Sequence, residues 1–214
     1  MMRRLSALLT TLVLLMVASV AVAEPAQYRI DPGHSLVGFN IRHFFSRVSG
    51  RFKEFSGSMM FDDKNLTASS VEVTIKTASI NTENERRDAD LRSPNFFNAD
   101  SFPTITFKSS KVVPGPDKTF LVYGDLNMHG VTKPITLEAT LLGTGQVVMA
   151  GRPPRTMAGF EAKSSLNRKD FDVSWNQVLD QGGTMLGDDV AITLGIEASK
   201  FDPNAQPPQT QTKK

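Results

Sequence analysis

Apolar and polar residues alternate with a period of two along most of this chain, the pattern of β-strands with one buried face. In the clearest case, Val71, Val73 and Ile75 alternate with polar residues. Further segments carry apolar residues on one face at Val37, Phe39 and Ile41; Ile105 and Phe107; Phe120, Val122, Gly124, Leu126 and Met128; Ile135, Leu137, Ala139 and Leu141; and Val190, Ile192, Leu194 and Ile196. With two weaker segments at 51–61 and 156–166, the pattern predicts roughly eight strands.

Turn residues separate most of these segments, as in Pro114-Gly115-Pro116-Asp117 and His129-Gly130. Short connections between successive strands favour antiparallel neighbours. Closing about eight such strands into a barrel removes the exposed sheet edges and leaves room for one small ligand. The sequence therefore predicts an all-β fold, an antiparallel eight-stranded barrel. A two-sheet sandwich, which buries the same faces without a cavity, remains the alternative.

One segment departs from the strand pattern. Thr82-Glu83-Asn84-Glu85 has the form of a capping box, and opposite charges four residues apart follow it in 86–92. We expect one short and mostly solvated helix, ended by Ser93-Pro94. Phe96 and Phe97 lie in the connecting segment after this helix, where they are candidates to plug a barrel mouth.

The two ends of the chain differ in composition from the rest. Arg3 and Arg4 precede an apolar run, and Ala21-Val22-Ala23 has the small-x-small pattern of a cleavage site, so 1–23 is predicted to be a signal peptide. A membrane anchor is the alternative, but the run is short for a span. Residues 202–214 are rich in Pro, Gln and Thr and are predicted to be disordered. One domain, 24–201, lies between them.

Charge and cysteine content narrow the function. Without Arg3 and Arg4 the basic residues balance the 22 acidic ones, so there is no electrostatic case for nucleic acid or an anionic membrane as a partner. No second long apolar run occurs, so no stable membrane insertion is expected. The absence of cysteine excludes disulfides, thiolate zinc sites and a cysteine nucleophile.

The residues give little support to catalysis. Nucleophile-elbow, phosphate-loop, zinc-protease and dinucleotide motifs are absent. The three histidines, His34, His43 and His129, are scattered without metal-ligand spacing, so no metal site is predicted. The carboxylates that cluster in sequence lie beside arginines or in turns and are expected to be solvated; they are Asp88, Asp90, Asp188 and Asp189. We therefore expect a non-enzyme.

Binding of an apolar molecule is better supported. The chain has 14 phenylalanines, and all follow the predicted signal peptide. A barrel lined with Phe, Ile, Val and Met stays dry, and an acyl or prenyl chain can fill it. The same aromatics also suit an ordinary packed core, and periodicity alone does not separate a filled barrel from a hollow one.

The chain resembles the YceI-like family in short motifs that cover nearly all of it after residue 23. The motifs are Tyr28-Arg29-Ile30-Asp31-Pro32-Gly33-His34-Ser35; Val37, Phe39 and Arg42-His43; Val48, Gly50, Phe52, Phe55 and Gly57; Ser79-Ile80-Asn81-Thr82; Arg87-Asp88; Leu91-Arg92-Ser93; Phe96-Phe97; Phe102-Pro103-Thr104-Ile105-Thr106-Phe107; Gly124-Asp125-Leu126; His129-Gly130-Val131-Thr132-Lys133-Pro134; Asn167-Arg168; and Asp170-Phe171. The chain departs from the family at Ala89, Asn95 and Asp172, where relatives usually carry histidine, aspartate and glycine. The first two changes remove polar groups near the expected mouth, so head-group preference is expected to differ.

The resemblance implies an extended, lipocalin-like antiparallel barrel exported to the bacterial periplasm. Relatives hold a long isoprenoid, such as a polyprenyl pyrophosphate or a quinone tail, and several look like stress-linked envelope proteins. The resemblance also implies a homodimer. We therefore expect a periplasmic carrier or reservoir for a long-chain amphiphilic lipid, with no other cofactor. The alternatives are a lipid-modifying enzyme and a solid barrel that acts as an interaction module.

Twelve residues are the candidate ligand contacts. The candidates for the tunnel lining are Phe39, Ile41, Phe44, Met60, Phe107 and Trp175, with His43 beside them and Phe96 and Phe97 as a gate. Arg42, Arg87 and Arg92 are the candidates to meet a phosphate or carbonyl head group, because a guanidinium suits such oxygens. Each arginine is equally suited to a surface ion pair.

Overall fold

The computed structural model describes residues 24–151, 153–180 and 182–203. The predicted signal peptide lies outside the described residues, as does the predicted disordered tail from 204 onward. The strands are β1 Ala26–Ile30, β2 Leu36–His43, β3 Ser46–Phe52, β4 Phe55–Phe61, β5 Ser70–Lys76, β6 Ile80–Asn81, β7 Thr104–Pro114, β8 Thr119–Met128, β9 Val131–Val147, β10 Arg155–Asn167 and β11 Leu186–Lys200. Helix α1 spans Glu85–Arg92, and single 3-10 turns lie at Leu66–Ala68, Thr77–Ser79 and Arg168–Phe171.

Eight strands form a closed ring. They pair in the order β1, β4, β5, β7, β8, β9, β10 and β11, and β11 pairs back to β1. Each of these pairings is antiparallel. The structure therefore confirms an all-β, antiparallel, eight-stranded barrel with one short helix. It excludes the two-sheet sandwich, because the pairing of β11 with β1 closes the ring of eight strands and leaves no open edge in it.

Strands β2, β3 and β6, which are not part of the ring, extend the barrel at one end. β11 is long enough to pair with two strands in series, β1 at residues 198–200 and β2 at residues 186–195. Strand β3 then pairs with β2, and β6 pairs with β3. Thus β1 and β2 are two parts of one interrupted strand, as are β3 and β4, and β5 and β6.

The interruption between β1 and β2 follows from its residues. Pro32 has no N–H to give to a strand ladder. The carboxylate of Asp31 accepts hydrogen bonds from the backbone N of Gly33 at 2.9 Å and from the ring of His34 at 2.9 Å. These local bonds satisfy a turn in place of the ladder.

Aromatic rings fill the interior near the end of the barrel where β4 stops and β8 starts. Phe61 packs edge-to-face on Phe160 with centroids 5.1 Å apart, and Tyr28 packs edge-to-face on Phe61 at 5.6 Å. Phe120 contacts Phe160 from the other side at 6.3 Å. Such geometry adds to the apolar burial that stabilises the barrel.

The predicted helix is confirmed, but its cap and its surroundings were predicted wrongly. Asn84, not Thr82, is the N-cap residue, and its side chain accepts from the backbone N of Arg87 at 3.0 Å. Asp88 is not solvated: it is 3% exposed and accepts from both the backbone N and the hydroxyl of Thr82. The helix packs beside β6, so a residue that the local charge pattern placed in water is buried. No helix among the residues that the structure describes is long and apolar enough to cross a bilayer.

Candidate functional site

A cavity of about 770 Å³ lies inside the barrel. Its wall is predominantly apolar and is built from the inward faces of the strands. The apolar residues that line it include Ile30, Val37, Phe39, Ile41, Phe52, Met59, Val73, Ile75, Ile105, Phe107, Phe120, Val122, Leu126, Ile135, Leu137, Phe160, Val190, Ile192, Leu194 and Ile196. The barrel is therefore hollow, which the alternation of residues left open.

Small residues in the wall leave space for the aromatic rings and for the cavity. A Cβ on Gly124 would lie 2.5 Å from the ring of Phe107, and one on Gly50 would lie 2.3 Å from the ring of Phe39. These rings therefore occupy the volume that a side chain at either glycine would need. Ala139 on β9 and Ala162 on β10 are paired in register on neighbouring strands, and both also line the cavity.

The largest polar part of the lining lies along α1 and the segment before it, and Ser69 and Ser70 at the start of β5 form a smaller one. Thr82, Asn84, Arg86, Arg87 and Asp90 all line the cavity, and Asn84, Arg86 and Asp90 are exposed to solvent. The cavity consequently reaches the surface at this helix, and its opening there is polar while its interior is apolar. This is the arrangement expected for a ligand with a polar head and an apolar tail.

Arg87 is held in place at this opening. Its Nε donates to the hydroxyl of Thr82 at 2.8 Å, and its Nη2 donates to the carbonyl of Thr82 at 2.8 Å. Thr82 in turn donates to the buried Asp88. The chain of bonds orients the guanidinium at the cavity wall without using all five of its donors.

Nine of the twelve residues predicted to contact a ligand line this one cavity: Phe39, Ile41, His43, Met60, Arg87, Phe96, Phe97, Phe107 and Trp175. The ring of Phe96 lies 5.2 Å from that of Trp175, and the ring of Phe97 lies 5.9 Å from that of Phe52. The two phenylalanines after α1 therefore pack into the barrel between strand and loop aromatics. That these residues bind a ligand stays a prediction.

The other three predicted residues, Arg42, Phe44 and Arg92, are not part of the cavity lining. Arg92 donates to the carbonyls of Ala78 at 2.7 Å and Ile80 at 3.1 Å, which ties α1 to β6. Arg42 donates to the carbonyls of Thr184 and Leu186. Phe44 lies in the connection between β2 and β3 with a φ of 49°. Sequence position alone did not show on which side of the wall each side chain lies.

Arg168 is a lining residue that sequence reasoning did not select. It is 4% exposed, and its guanidinium donates to the carbonyls of Gly187, Val173 and Trp175. Burial lowers the pKa of this guanidinium, with the nearby Asp188 acting in the opposite sense. Its place in the Asn167-Arg168 family motif was the one available indication of its importance. It holds the loop that brings Val173 and Trp175 to the cavity.

A polar cluster lies outside the cavity at the interruption between β1 and β2. Asp31, His34 and Glu197 bring three possible metal-ligand atoms within 4.8 Å of one another, and all are at least partly exposed. The hydrogen bond between His34 and Asp31 lowers the pKa of Asp31 and raises the pKa of His34. This direct bond accounts for the proximity of the two side chains without an ion between them.

An antiparallel eight-stranded barrel closed around an apolar cavity defines a lipocalin-like barrel protein. The chain belongs to the YceI-like family: the model of the YceI-like domain matches residues 28–198. It is 42% identical over 158 residues to the protein YceI of Shigella flexneri, covering 72% of this chain and 80% of that protein. The recognition made from the sequence motifs is therefore confirmed.

Solved structures share the fold. Burkholderia cenocepacia BcnA superposes with a TM-score of 0.69 at 23% identity, covering 78% of this chain and 98% of BcnA. A polyisoprenoid binding domain from Saccharophagus degradans superposes with a TM-score of 0.57 at 16% identity, covering 81% of this chain and 98% of that domain. At these identities the likeness concerns the architecture of the barrel.

Proposed function

We propose that this protein is a periplasmic, non-catalytic carrier or reservoir for an isoprenoid or another long-chain amphiphilic lipid. The observation that carries the proposal is the apolar cavity inside the closed barrel. Its volume of about 770 Å³ falls within the range of roughly 300–1,000 Å³ that is typical of small-molecule sites. Water gains few hydrogen bonds in such a space, so an apolar chain is the favoured occupant.

The form of the cavity favours a tail-in, head-out ligand. The polar groups along α1, among them Arg86 and Arg87, lie where the cavity meets solvent. A phosphate or quinone carbonyl at this opening would meet guanidinium donors, while the tail contacts aromatic and aliphatic side chains. The fold shared with a polyisoprenoid binding domain is consistent with this ligand class.

The lining gives little support to the alternative of a lipid-modifying enzyme. His43 is the one histidine in the described lining, and its ring packs edge-to-face on Phe44 at 4.6 Å. Catalysis of acyl transfer or proton transfer requires a base within hydrogen-bond reach of a nucleophile or substrate proton. Among the described residues, the hydroxyls that line the cavity belong to Ser69, Ser70 and Thr82, and none of them bonds to the ring of His43. The solid-barrel alternative does not fit a hollow interior.

We also propose that two copies associate through the hairpin of β9 and β10. The pairing of β8 with β9 stops at Thr140, whereas β9 continues to Val147 with β10 on one side. The backbone N of Leu141 still donates to the carbonyl of Lys118, so the strand edge is free over residues 142–147, where Leu142 and Val147 are exposed apolar residues. Such an edge is a ready partner for a second strand.

The decisive experiment extracts the purified protein with organic solvent and analyses the extract by mass spectrometry. We expect a long-chain lipid in nearly stoichiometric amount. A companion variant, Ala162→Phe, places a ring in the cavity and is expected to carry only a small fraction of that lipid, because an added aromatic ring competes with the tail for volume.

The matched control is Glu161→Phe, at the neighbouring exposed position on the outer face of the same strand. It should retain the lipid. Lipid-free protein from the native host, or equal lipid content in both variants, would contradict the proposed function. The extracted lipid can also be incubated with the protein. Recovery of a chemically different product would favour the enzyme instead.

A further inference from the structure

The connection between β2 and β3 has a sequence that folding does not explain. His43 pairs with Ser46, so Phe44 and Phe45 form a two-residue hairpin connection. Phe44 has a φ of 49°, in the left-handed region where a residue with a bulky side chain is strained. Asn and Gly are favoured in such connections. Two phenylalanines lower both the turn propensity and the solubility of this tip.

The aromatic side chains of this tip are in water. Phe45 is fully exposed, and Phe44 is 39% exposed. The neighbouring loop is joined to the tip by a hydrogen bond from the backbone N of Phe44 to the carbonyl of Met185 at 2.8 Å. In this loop Thr184, next to Met185, forms an isolated β-bridge with Val178, and Val178 is also highly exposed. The tip and the neighbouring loop thus present apolar side chains together at one end of the barrel. An exposed apolar cluster of this kind indicates a contact surface.

The hairpin behind this tip is purely basic. Residues 36–52 include Arg42, Arg47 and Arg51 and contain no Asp or Glu. Arg51 lies 3.7 Å from the carboxylate of Glu83 and is therefore paired. Arg42 donates to backbone carbonyls, and Arg47 donates to the side-chain oxygen of Asn40, so neither of these two charges is neutralised by a carboxylate within the described structure. The neutral net charge after residue 23 gave no electrostatic case for an anionic membrane, but basic residues are concentrated locally on this hairpin. Exposed aromatics flanked by unneutralised arginines suit the interface of an anionic lipid bilayer, where rings enter the head-group region and arginines meet phosphates.

The tip also adjoins the cavity. His43, directly before it, lines the cavity, as do Met185 and Leu186, and Leu186 is the strand partner of His43. A bilayer that contacts the tip would therefore lie next to this part of the cavity wall.

We propose that the Phe44-Phe45 tip docks this protein on anionic phospholipid membrane surfaces. The docking goes beyond the proposed function, because it depends on the exposed tip and its arginines and not on the contents of the barrel. It is a peripheral contact, and the barrel stays outside the bilayer.

The test is co-sedimentation of the purified chain with vesicles of phosphatidylethanolamine and phosphatidylglycerol, compared with vesicles of phosphatidylcholine. The test variant is Phe44→Asn with Phe45→Gly, which should fold at least as well because Asn tolerates the positive φ that strains Phe44 and Gly adopts any φ. We expect it to bind the anionic vesicles at least about tenfold more weakly, as the apolar insertion is lost. Arg47→Gln should reduce the preference for anionic vesicles.

The matched control is Val148→Asn with Met149→Gly, which removes two exposed apolar residues from the connection between β9 and β10. It should bind like the unaltered chain. Absence of vesicle binding by the unaltered chain, or equal loss in both double variants, would overturn the proposal. So would a change in particle mass of the Phe44→Asn, Phe45→Gly variant in light scattering without vesicles, since the tip would then join two copies.

Extracted lipid should be equal in both double variants, and its absence throughout would count against the cavity's role instead.

Discussion

At the scale of single residues, the buried carboxylate of Asp88 organises the opening of the cavity. It accepts two hydrogen bonds from Thr82, and Thr82 accepts two from Arg87. A buried acceptor with satisfied donors stabilises the fold, whereas its removal leaves a buried N–H without a partner. The position of Arg87 at the cavity wall therefore depends on a carboxylate that does not touch the cavity.

Asp88→Ala is expected to lower the free energy of unfolding by about 2 kcal/mol, because the backbone N of Thr82 loses its acceptor in a buried site. Urea denaturation followed by circular dichroism measures the change. Glu85→Ala, at an exposed position on the same helix, is the control and should change stability by less than about 0.5 kcal/mol. Equal effects of the two substitutions would mean that the buried bonds contribute nothing specific.

At the scale of elements, the segment between β10 and β11 is secured by two side chains, Arg168 and Asn176, and Asn176 bonds to both the N and the carbonyl of Leu186. Arg168 directly follows β10 and donates to the carbonyls of Val173 and Trp175 in the loop and to that of Gly187 at the start of β11. The carboxylate of Asp188 lies 3.4 Å from the guanidinium of Arg168 and forms a second ion pair with the Nζ of Lys169 at 2.9 Å. The part of this loop that carries Trp175 to the cavity is therefore held largely by side-chain hydrogen bonds, those of the buried Arg168 above all.

Arg168→Met is expected to lower the free energy of unfolding by about 3 kcal/mol, since three carbonyls lose their donor. Lys169→Met removes the neighbouring, half-exposed ion pair with Asp188 and should change stability by less than about 0.5 kcal/mol. Thermal unfolding compares the two, and hydrogen exchange at Val173 and Trp175 should accelerate only in Arg168→Met. Unchanged exchange in that variant would show that the loop is held by other contacts.

At the scale of the whole molecule, a closed barrel can still associate through the part of a hairpin that projects beyond the ring. Residues 142–147 of β9 have a free edge, while the ring itself offers none. The proposed dimer thus involves an element that the barrel does not need for closure. The cavity and the self-association are separable for the same reason.

Leu142→Lys with Val147→Lys is expected to convert the dimer into a monomer, because lysine on an edge strand opposes pairing by charge and solvation. Light scattering after gel filtration measures the mass. Val178→Lys, at an exposed apolar residue away from this edge, should leave the dimer intact. A monomeric unaltered chain, or a dimer that survives the double substitution, would contradict this interface.

Much of the barrel could be predicted from the alternation of apolar and polar residues, because a strand exposes one face to water and buries the other. The inward direction of the Val71, Val73 and Ile75 side chains follows from this alternation alone. The interruptions were harder. Pro32 and Gly33 indicate a turn, yet β11 spans this break by pairing with both β1 and β2, which depends on residues far away in sequence. Strand pairing over such separations has no local signature.

The chain's own order of residues determined the fold class, the inward face of most strands, the family and the existence of α1, because each of these depends on neighbours in sequence. Tertiary structure alone decided that the interior is hollow, that Asp88 is buried and that Arg87, but neither Arg42 nor Arg92, lines the cavity. The physical reason is that periodicity specifies the direction of a side chain. Volume, burial and hydrogen-bond partners depend instead on what the rest of the barrel brings to the same place.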